Sequence, residues 1–199
     1  MKEQRETWTT DEFGASHEGS VGVLAADGNV PKAVYFDIES GPTVHSSTHW
    51  SIYDGCHGAP QAAALRGVCA CAWTGPEYPL SWNGEEDLEE AGAATADQCM
   101  RDWEAHTAEV AEAAIPLPTA VTMLLEQVRD EIERLSESSP LAALRAARNL
   151  EITSADLGYW AALSAHDEAD DEQVATALGL SEQEARALVA RYGRRSPYL

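Results

Sequence analysis

The chain has 199 residues, 44% of them hydrophobic and 24% charged, which suits one large soluble domain or two small ones. Its 34 acidic residues outnumber 13 Lys and Arg, and the formal charge of -21 disfavours general binding to nucleic acid or to anionic membranes. The polar start and the lack of a long apolar run predict a cytoplasmic protein with no membrane partner. In that compartment four cysteines are expected to be free or metal-bound rather than paired.

The first half of the chain predicts a small antiparallel β module. Residues 20–25 and 33–39 are predicted strands, and the second alternates apolar and polar side chains as a half-buried strand does. Residues 43–53 continue the extended pattern after a Ser-Gly-Pro turn and carry histidines. The polar segment before the first strand has Trp8 and Phe13 as apolar anchors, and we expect it to lie against the sheet.

Two cysteines, Cys69 and Cys71, follow in a segment that is also predicted as a strand. Residues i and i+2 of a strand share a face, so both thiols are expected to point the same way, with Val68, Ala70 and Ala72 on the other face. Two parallel thiols can bind a soft cation from one side, as thiolate pairs do in structural zinc sites. The alternative is that both are compact core residues, since a free cysteine packs as a small hydrophobe.

Histidines elsewhere in the module are candidates for the other two ligands. His49 precedes Cys69 by 20 residues on a neighbouring strand, and His106 lies on a predicted helix that can pack over the sheet. The sequence therefore predicts a zinc ion in a closed tetrahedron that stabilises the β module. The predicted ligands are Cys69, Cys71, His106 and His49. Alternatives for the fourth position are His45, Cys56, His57 and Cys99.

Helices dominate the rest of the chain. Residues 93–114 predict a helix that Pro116 and Pro118 end, so the domain boundary is placed there. The predicted domains are a β-rich module at 1–115 and a helical domain at 116–199. The sequence thus predicts an α+β protein, a small antiparallel β module stabilised by zinc and followed by an all-α domain.

The helical domain opens with an amphipathic helix at 118–135. Its apolar residues recur at steps of three and four and form a stripe: Val121, Leu124, Leu125, Val128, Ile132 and Leu135. This stripe predicts packing within the fold or, as the sharper alternative, a homodimer through the helix. Ser139 and Pro140 predict the start of a second helix and Ser154 that of a third. The residues of the second helix expected to face inward are Leu141, Leu144 and Leu150.

The segment 171–188 resembles a helix-turn-helix of the sigma-factor region-four type. Ala175 is small where two helices would cross, and Ala185 faces back on the first of them. Gly179 permits the positive φ of the turn, and Ser181 is suited to cap the second helix. This combination predicts the helix-turn-helix geometry.

In such a motif the start of the second helix enters the major groove of DNA. Here that start carries Glu182 and Glu184, which repel phosphate, although a Glu can accept a hydrogen bond from cytosine N4. The alternative is a helical core that shares this packing and binds no DNA. The residues predicted to contact DNA are Gln183, Arg186, Arg191, Arg194 and Arg195.

Taken together, these segments are similar to a group of actinobacterial proteins. The shared features are an Arg-Gly-x-Cys-x-Cys-Gly-Trp segment, an acidic helix ending in Trp-x-x-His, and a C-terminal helix-turn-helix. The matching residues are Arg66, Gly67, Cys69, Cys71, Trp73, Trp103, His106 and 174–188. The resemblance implies a metal module joined to a helix-turn-helix and no particular activity. The chain departs from it at Ala72, where the group has glycine.

Two functions of different kinds follow from these features. The first is transcription regulation by a DNA-binding protein with a structural zinc. The second is an acidic interaction module that binds a basic protein partner, for instance by mimicking the charge of nucleic acid. We expect no enzymatic activity, because the chain has no His-Glu-x-x-His, no Gly-rich phosphate loop and no Gly-x-Ser-x-Gly elbow.

Overall fold

The structure is a computed structural model that describes residues 6–36, 45–56, 58–82 and 88–193. The chain divides into two compact units, Met1–Ala111 and Glu112–Leu199. An antiparallel β part comes first and an all-helical part follows, so the predicted α+β class is confirmed. The boundary predicted at residue 116 lies a few residues after the division between the units.

The strands of the first unit form two antiparallel sheets within its described residues. In chain order the strands are β1 (Thr7–Trp8), β2 (Gly19–Ala25), β3 (Val34–Phe36), β4 (His45–Ser47), β5 (Ala62–Cys69) and β6 (Tyr78–Pro79). The larger sheet has the order β1-β2-β5-β6, and β3 pairs with β4 in the smaller one. Short 3-10 helices at Gly14–His17 and Trp50–Ile52 precede β2 and follow β4.

The central pair β2 and β5 carries the core of this unit. Their antiparallel register sets Gly19 opposite Cys69 and Val23 opposite Leu65. Around this pair, residues in and just after the second 3-10 helix and residues of helix α1 (Leu88–Ala113) complete a buried cluster. The cluster consists of Val23, Trp50, Tyr53, Ala62, Leu65, Ala96 and Cys99. Because α1 contributes Ala96 and Cys99 to this cluster, it covers one face of the sheet.

Four more helices form the second unit within the described residues. They are α2 (Thr119–Ser138), α3 (Pro140–Glu168), α4 (Asp171–Leu178) and α5 (Glu182–Gly193). The helix α2 packs against α3, and α5 packs against both α3 and α4. As expected, α1 ends before Pro116 and Pro118. None of the helices in the described ranges is long and apolar enough to cross a membrane.

The predicted helix start at Ser154 is wrong, because α3 runs without a break from Pro140 to Glu168. The hydroxyls of Thr153 and Ser154 donate hydrogen bonds to carbonyls earlier in the same helix, at Asn149 and Glu151, instead of capping a new one. A hydroxyl that bonds back one turn is compatible with a helix interior. Ser154 is thus a residue type that often caps helices, but here it lies in the interior of one.

The prediction that Leu141, Leu144 and Leu150 face inward is also wrong, since all three are exposed. The fully buried hydrophobic residues of the second unit are alanines: Ala143, Ala155, Ala162, Ala175 and Ala185. Small residues let the helices approach closely; a Cβ added to Gly158 on α3 would meet the Tyr192 ring of α5 at 2.6 Å. Close helix contact through small side chains leaves the larger apolar ones outside.

The turn between α4 and α5 has the local geometry that the sequence predicts. Gly179 has φ 61° and ψ 41°, the left-handed conformation that suits glycine. The Ser181 hydroxyl accepts from the Glu184 N–H at 3.3 Å, and the Glu184 carboxylate accepts from the Ser181 N–H at 3.2 Å. Ala175 and Ala185 are buried where the two helices meet. These contacts define a tight two-helix turn and do not by themselves identify what it binds.

Candidate metal centre

Four side chains of the first unit converge on one point. A nitrogen from each of His17 and His106 and the sulfurs of Cys69 and Cys71 all lie within 4.8 Å of one another. The Sγ of Cys69 is 3.6 Å from Nδ1 of His17, and the Sγ of Cys71 is 3.3 Å from Nε2 of His106. A tetrahedral zinc, bonded at about 2.3 Å to sulfur and about 2.0–2.1 Å to nitrogen, sets such ligands ~3.5 Å apart. These two sulfur–nitrogen distances match this spacing, and all four donor atoms are close enough together to hold one metal ion.

The two cysteines come from the end of β5 and the turn that follows it. Cys69 is the last residue of the strand; its N–H donates to the Trp73 carbonyl and its carbonyl accepts from the Ala72 N–H, both at 3.0 Å. Cys71 thus lies in a tight turn, and the prediction that both cysteines share one strand face is wrong. The turn, rather than the strand pleat, brings the two thiols together.

His17 is the candidate ligand that the sequence argument missed. It ends the first 3-10 helix, is only 3% exposed, and its carbonyl accepts a 3.0 Å hydrogen bond from Nε1 of Trp103 on α1. The β2–β5 register explains its position: Gly19 pairs with Cys69, and the Glu18 carbonyl accepts from the Ala70 N–H at 2.9 Å. His17 directly precedes Glu18 and therefore lies beside the turn that carries Cys71. The available signal was a histidine just before the strand that pairs with the Cys-x-Cys segment.

His106 reaches the site from α1, as predicted. Its ring stacks on Trp73, with centroids 4.6 Å apart and planes tilted by 6°, and this contact fixes the imidazole beside the cysteine turn. Trp103, one helical turn earlier, anchors the same helix face to the backbone of His17. Burial, followed by the nearby His17, lowers the pKa of His106. A lowered pKa keeps the imidazole neutral, which is the form that binds a metal.

The thiol of Cys71 can bind a metal only after it has lost its proton. Burial raises the pKa of the Cys71 thiol to about 11, with a further contribution from the neighbouring Cys69. At neutral pH the metal-free Cys71 is therefore protonated, and a metal must displace that proton to bind sulfur. Binding at this site is expected to be coupled to proton release.

His49, predicted as the fourth ligand, lies elsewhere. It caps the second 3-10 helix: its Nδ1 is 2.7 Å from the Ser51 hydroxyl, and its Nε2 is 3.6 Å from a Glu6 carboxylate oxygen. The cross-strand argument failed because β4, on which the approach of His49 depended, pairs with β3 in the smaller sheet and not with β5. The fourth position of the cluster belongs to His17 instead.

The alternative ligands do not join the group either. Cys99 is fully buried in the core against the sheet, where burial raises its thiol pKa to about 11. Cys56 is exposed, and its N–H donates to an Asp54 carboxylate oxygen at 2.7 Å. The His45 side chain and residue 57 lie outside what the structure describes.

Two of the arginines predicted to contact DNA interact with other side chains of the protein. The Arg186 guanidinium is 2.6 Å from carboxylate oxygens of both Asp171 and Glu182. The guanidinium of Arg191 lies over the ring of its neighbour Tyr192, 5.2 Å from the centroid. Gln183 is exposed, and residues 194 and 195 lie outside the described part of the chain. The structure therefore pairs Arg186 with one acid from the start of α4 and one from the start of α5.

Comparison of the chain with protein-family models, with curated proteins and with solved structures finds no match. The interpretation of the centre therefore depends on its own geometry and chemistry.

Proposed function

We propose that the protein is a zinc-stabilised interaction protein in which one closed Cys2His2 site holds the first unit together. The convergence of the four donor atoms within 4.8 Å carries this proposal. A donor set of two sulfurs and two imidazole nitrogens favours zinc over metals that prefer oxygen ligands. Four protein ligands leave no open position for substrate or water, so the metal would be structural rather than catalytic.

The centre ties together segments that are far apart in sequence. Its ligands come from the first 3-10 helix, from β5 with its turn, and from α1. Metal binding would therefore contribute to the folding free energy of a sheet whose outer strands β1 and β6 have two residues each. A reducing, cytoplasmic environment suits this role, because the site needs free thiols.

Metal analysis of protein purified without chelator tests the site, with about one zinc per chain expected. His17→Ala and Cys71→Ser should each lose the metal, whereas His49→Ala and Cys56→Ser should retain it. These controls match each ligand with a residue of the same type from the same unit. Purified protein without zinc, or loss of zinc from His49→Ala and not from His17→Ala, would refute the assigned ligand set.

For the partner, we propose a basic protein rather than DNA. A chain with a charge of -21 attracts cations over its whole surface, and the cation best placed on α5 is already paired with Asp171 and Glu182. Binding should weaken as salt rises, because exposed charges are screened. Retention of one protein from a nuclease-treated lysate, and its elution by salt, would support this reading; retention that depends on nucleic acid would contradict it.

DNA binding is the second candidate, and the α4–α5 turn is the observation that favours it. The left-handed Gly179, the Ser181 cap and the buried alanines are features that a helix-turn-helix would need, and they support this candidate. If the motif binds a duplex, replacing Glu182 and Glu184 by Gln should remove two negative charges from the start of α5 and tighten binding to every sequence. Titration of labelled duplexes at low salt distinguishes the candidates, since no binding by either form would leave only the protein partner.

A further inference from the structure

The hairpin of α2 and α3 has an apolar seam that neither helix covers. The seam residues are Val121, Leu125 and Val128 on α2 and Leu150, Leu157 and Trp160 on α3, and each is 40–70% exposed. On both helices they follow steps of three, four or seven residues, the spacing of knobs that pack between helices. The two helices are joined through Ser139 alone and pack on each other, so they run antiparallel.

Antiparallel pairing sets the seam residues of α2 beside those of α3. Counting away from the Ser139 link, Val128 is level with Leu150, and Val121 is level with Leu157. Residues at these positions form the core of a helical bundle when further helices enclose them. Here the described residues of the second unit bury only alanines among their hydrophobic side chains, so the larger side chains of the hairpin remain uncovered.

We propose that a second copy of this chain covers the seam, so that two α2–α3 hairpins form a four-helix bundle about a twofold axis. Two copies present the same uncovered face, and only a self-paired arrangement covers both at once. The face is also large enough. The 20 residues of α2 extend ~30 Å, so the whole hairpin face, two helices wide, presents roughly 600 Å², which is the low end of the range per partner in standard interfaces; the seam lies within this face.

Charge favours a second copy over the basic partner at this surface. The first seven residues of α2, 119–125, carry no charge, and the arginines further along pair with acids of the same helix, Arg129 with Glu133 and Arg134 with Glu131. A basic protein would find little to recognise in the seam itself. Two chains of charge -21 repel each other, so self-association through apolar contacts should strengthen as salt screens that repulsion.

Sedimentation velocity of the full chain over a range of concentrations tests the proposal. We expect a dimer that tightens when salt rises from about 0.05 M to about 0.5 M, the opposite of binding to a basic partner. Leu125→Glu should raise the dimer dissociation constant at least about 100-fold, because it places a charge in the seam. Leu157→Glu, on the other helix, should do the same.

Each variant has a matched control on the opposite side of its helix. Met123, 63% exposed, is two residues from Leu125 and therefore points about 200° away on α2. Leu141, 81% exposed, stands 16 residues before Leu157 and about 160° away on α3. Met123→Glu and Leu141→Glu should leave the dimer intact, and circular dichroism should show unchanged helix content in all four. A monomer at every concentration, or equal loss of dimer in seam and control variants, would overturn the proposal.

Discussion

At the scale of single residues, the backbone of Ala72 has a strained conformation. It has φ 74°, and it is the one residue other than glycine with a positive φ among those the structure describes. An L-residue in the left-handed region costs about 1–2 kcal/mol. The closure of the cysteine turn by hydrogen bonds between Cys69 and both Ala72 and Trp73 holds it there. The strain is therefore a consequence of bringing two thiols together.

Replacing Ala72 by Gly should release that strain. Glycine loses about 0.5–1 kcal/mol more backbone entropy on folding, so we expect a net stabilisation of up to about 1 kcal/mol. Urea unfolding of the zinc-loaded protein measures this change in the free energy of unfolding. Ala70→Gly is the control in the same turn: because Ala70 has no positive φ, the substitution should destabilise by about 0.5–1 kcal/mol. The same sign for both substitutions would contradict the assignment of strain to Ala72.

The raised pKa of Cys71 predicts that zinc affinity at the candidate site increases with pH. The raised pKa, about 11, means that binding expels the Cys71 proton throughout the neutral range. Apparent zinc affinity should therefore rise at least about tenfold per pH unit between about pH 6.5 and pH 8. Competition with a zinc-sensitive dye measures this slope. The lowered pKa of His106 keeps its imidazole from competing for protons in that range. An affinity independent of pH would argue against a thiol ligand with this pKa.

At the scale of elements, the approach of α1 to β5 sets the geometry of the centre. A Cβ on Gly67 would lie 2.8 Å from the Cys99 carbonyl oxygen and 3.2 Å from the Trp73 ring. Both contacts involve groups next to the candidate metal site: Cys99 is on α1, which also carries His106, and the Trp73 ring stacks on the His106 ring. The glycine is needed here because a side chain would push the helix off the sheet.

Gly67→Ala should therefore weaken both stability and metal binding. Overpacking of this kind costs roughly 1–3 kcal/mol, and the displaced α1 should move His106 away from Cys71. Thermal unfolding and zinc titration give the two readouts. Gly193→Ala serves as the control, because a Cβ there has no neighbour within 4 Å. If Gly67→Ala lost stability but kept its zinc affinity, the link between helix approach and the site would be wrong.

At the scale of the whole molecule, the candidate metal centre belongs to one of two compact units. All four candidate ligands lie within Met1–Ala111, and none lies in Glu112–Leu199. The second unit has its own helix contacts among α2, α3, α4 and α5. The two units should therefore respond differently to loss of the metal.

Removing zinc with a chelator should loosen the first unit alone. Hydrogen exchange read by mass spectrometry should speed up in β2, β5 and α1, because their shared cross-link is lost, and stay unchanged over 119–193. The Cys71→Ser variant should reproduce this pattern without chelator. Equal acceleration in both units would show that the helical unit depends on the metal as well.

What could be predicted from the sequence followed from local rules. Periodicity and proline positions indicated the β module, the helix α2 and the end of α1 before Pro116, because each depends on residues close in the chain. The same holds for the α4–α5 turn, whose Gly179 and Ser181 act within a few residues. The Cys-x-Cys segment and the Trp-x-x-His motif on α1 indicated which residues to consider as ligands.

Only the tertiary structure decided which residues meet. Strand pairing placed His17, rather than His49, next to the cysteines, because β2 and not β4 lies beside β5. Helix packing through alanines decided that the leucines of α3 lie outside, although their spacing is the same for a buried and an exposed face. Sequence periodicity identifies an apolar stripe, but what covers the stripe depends on contacts between distant segments or with another chain.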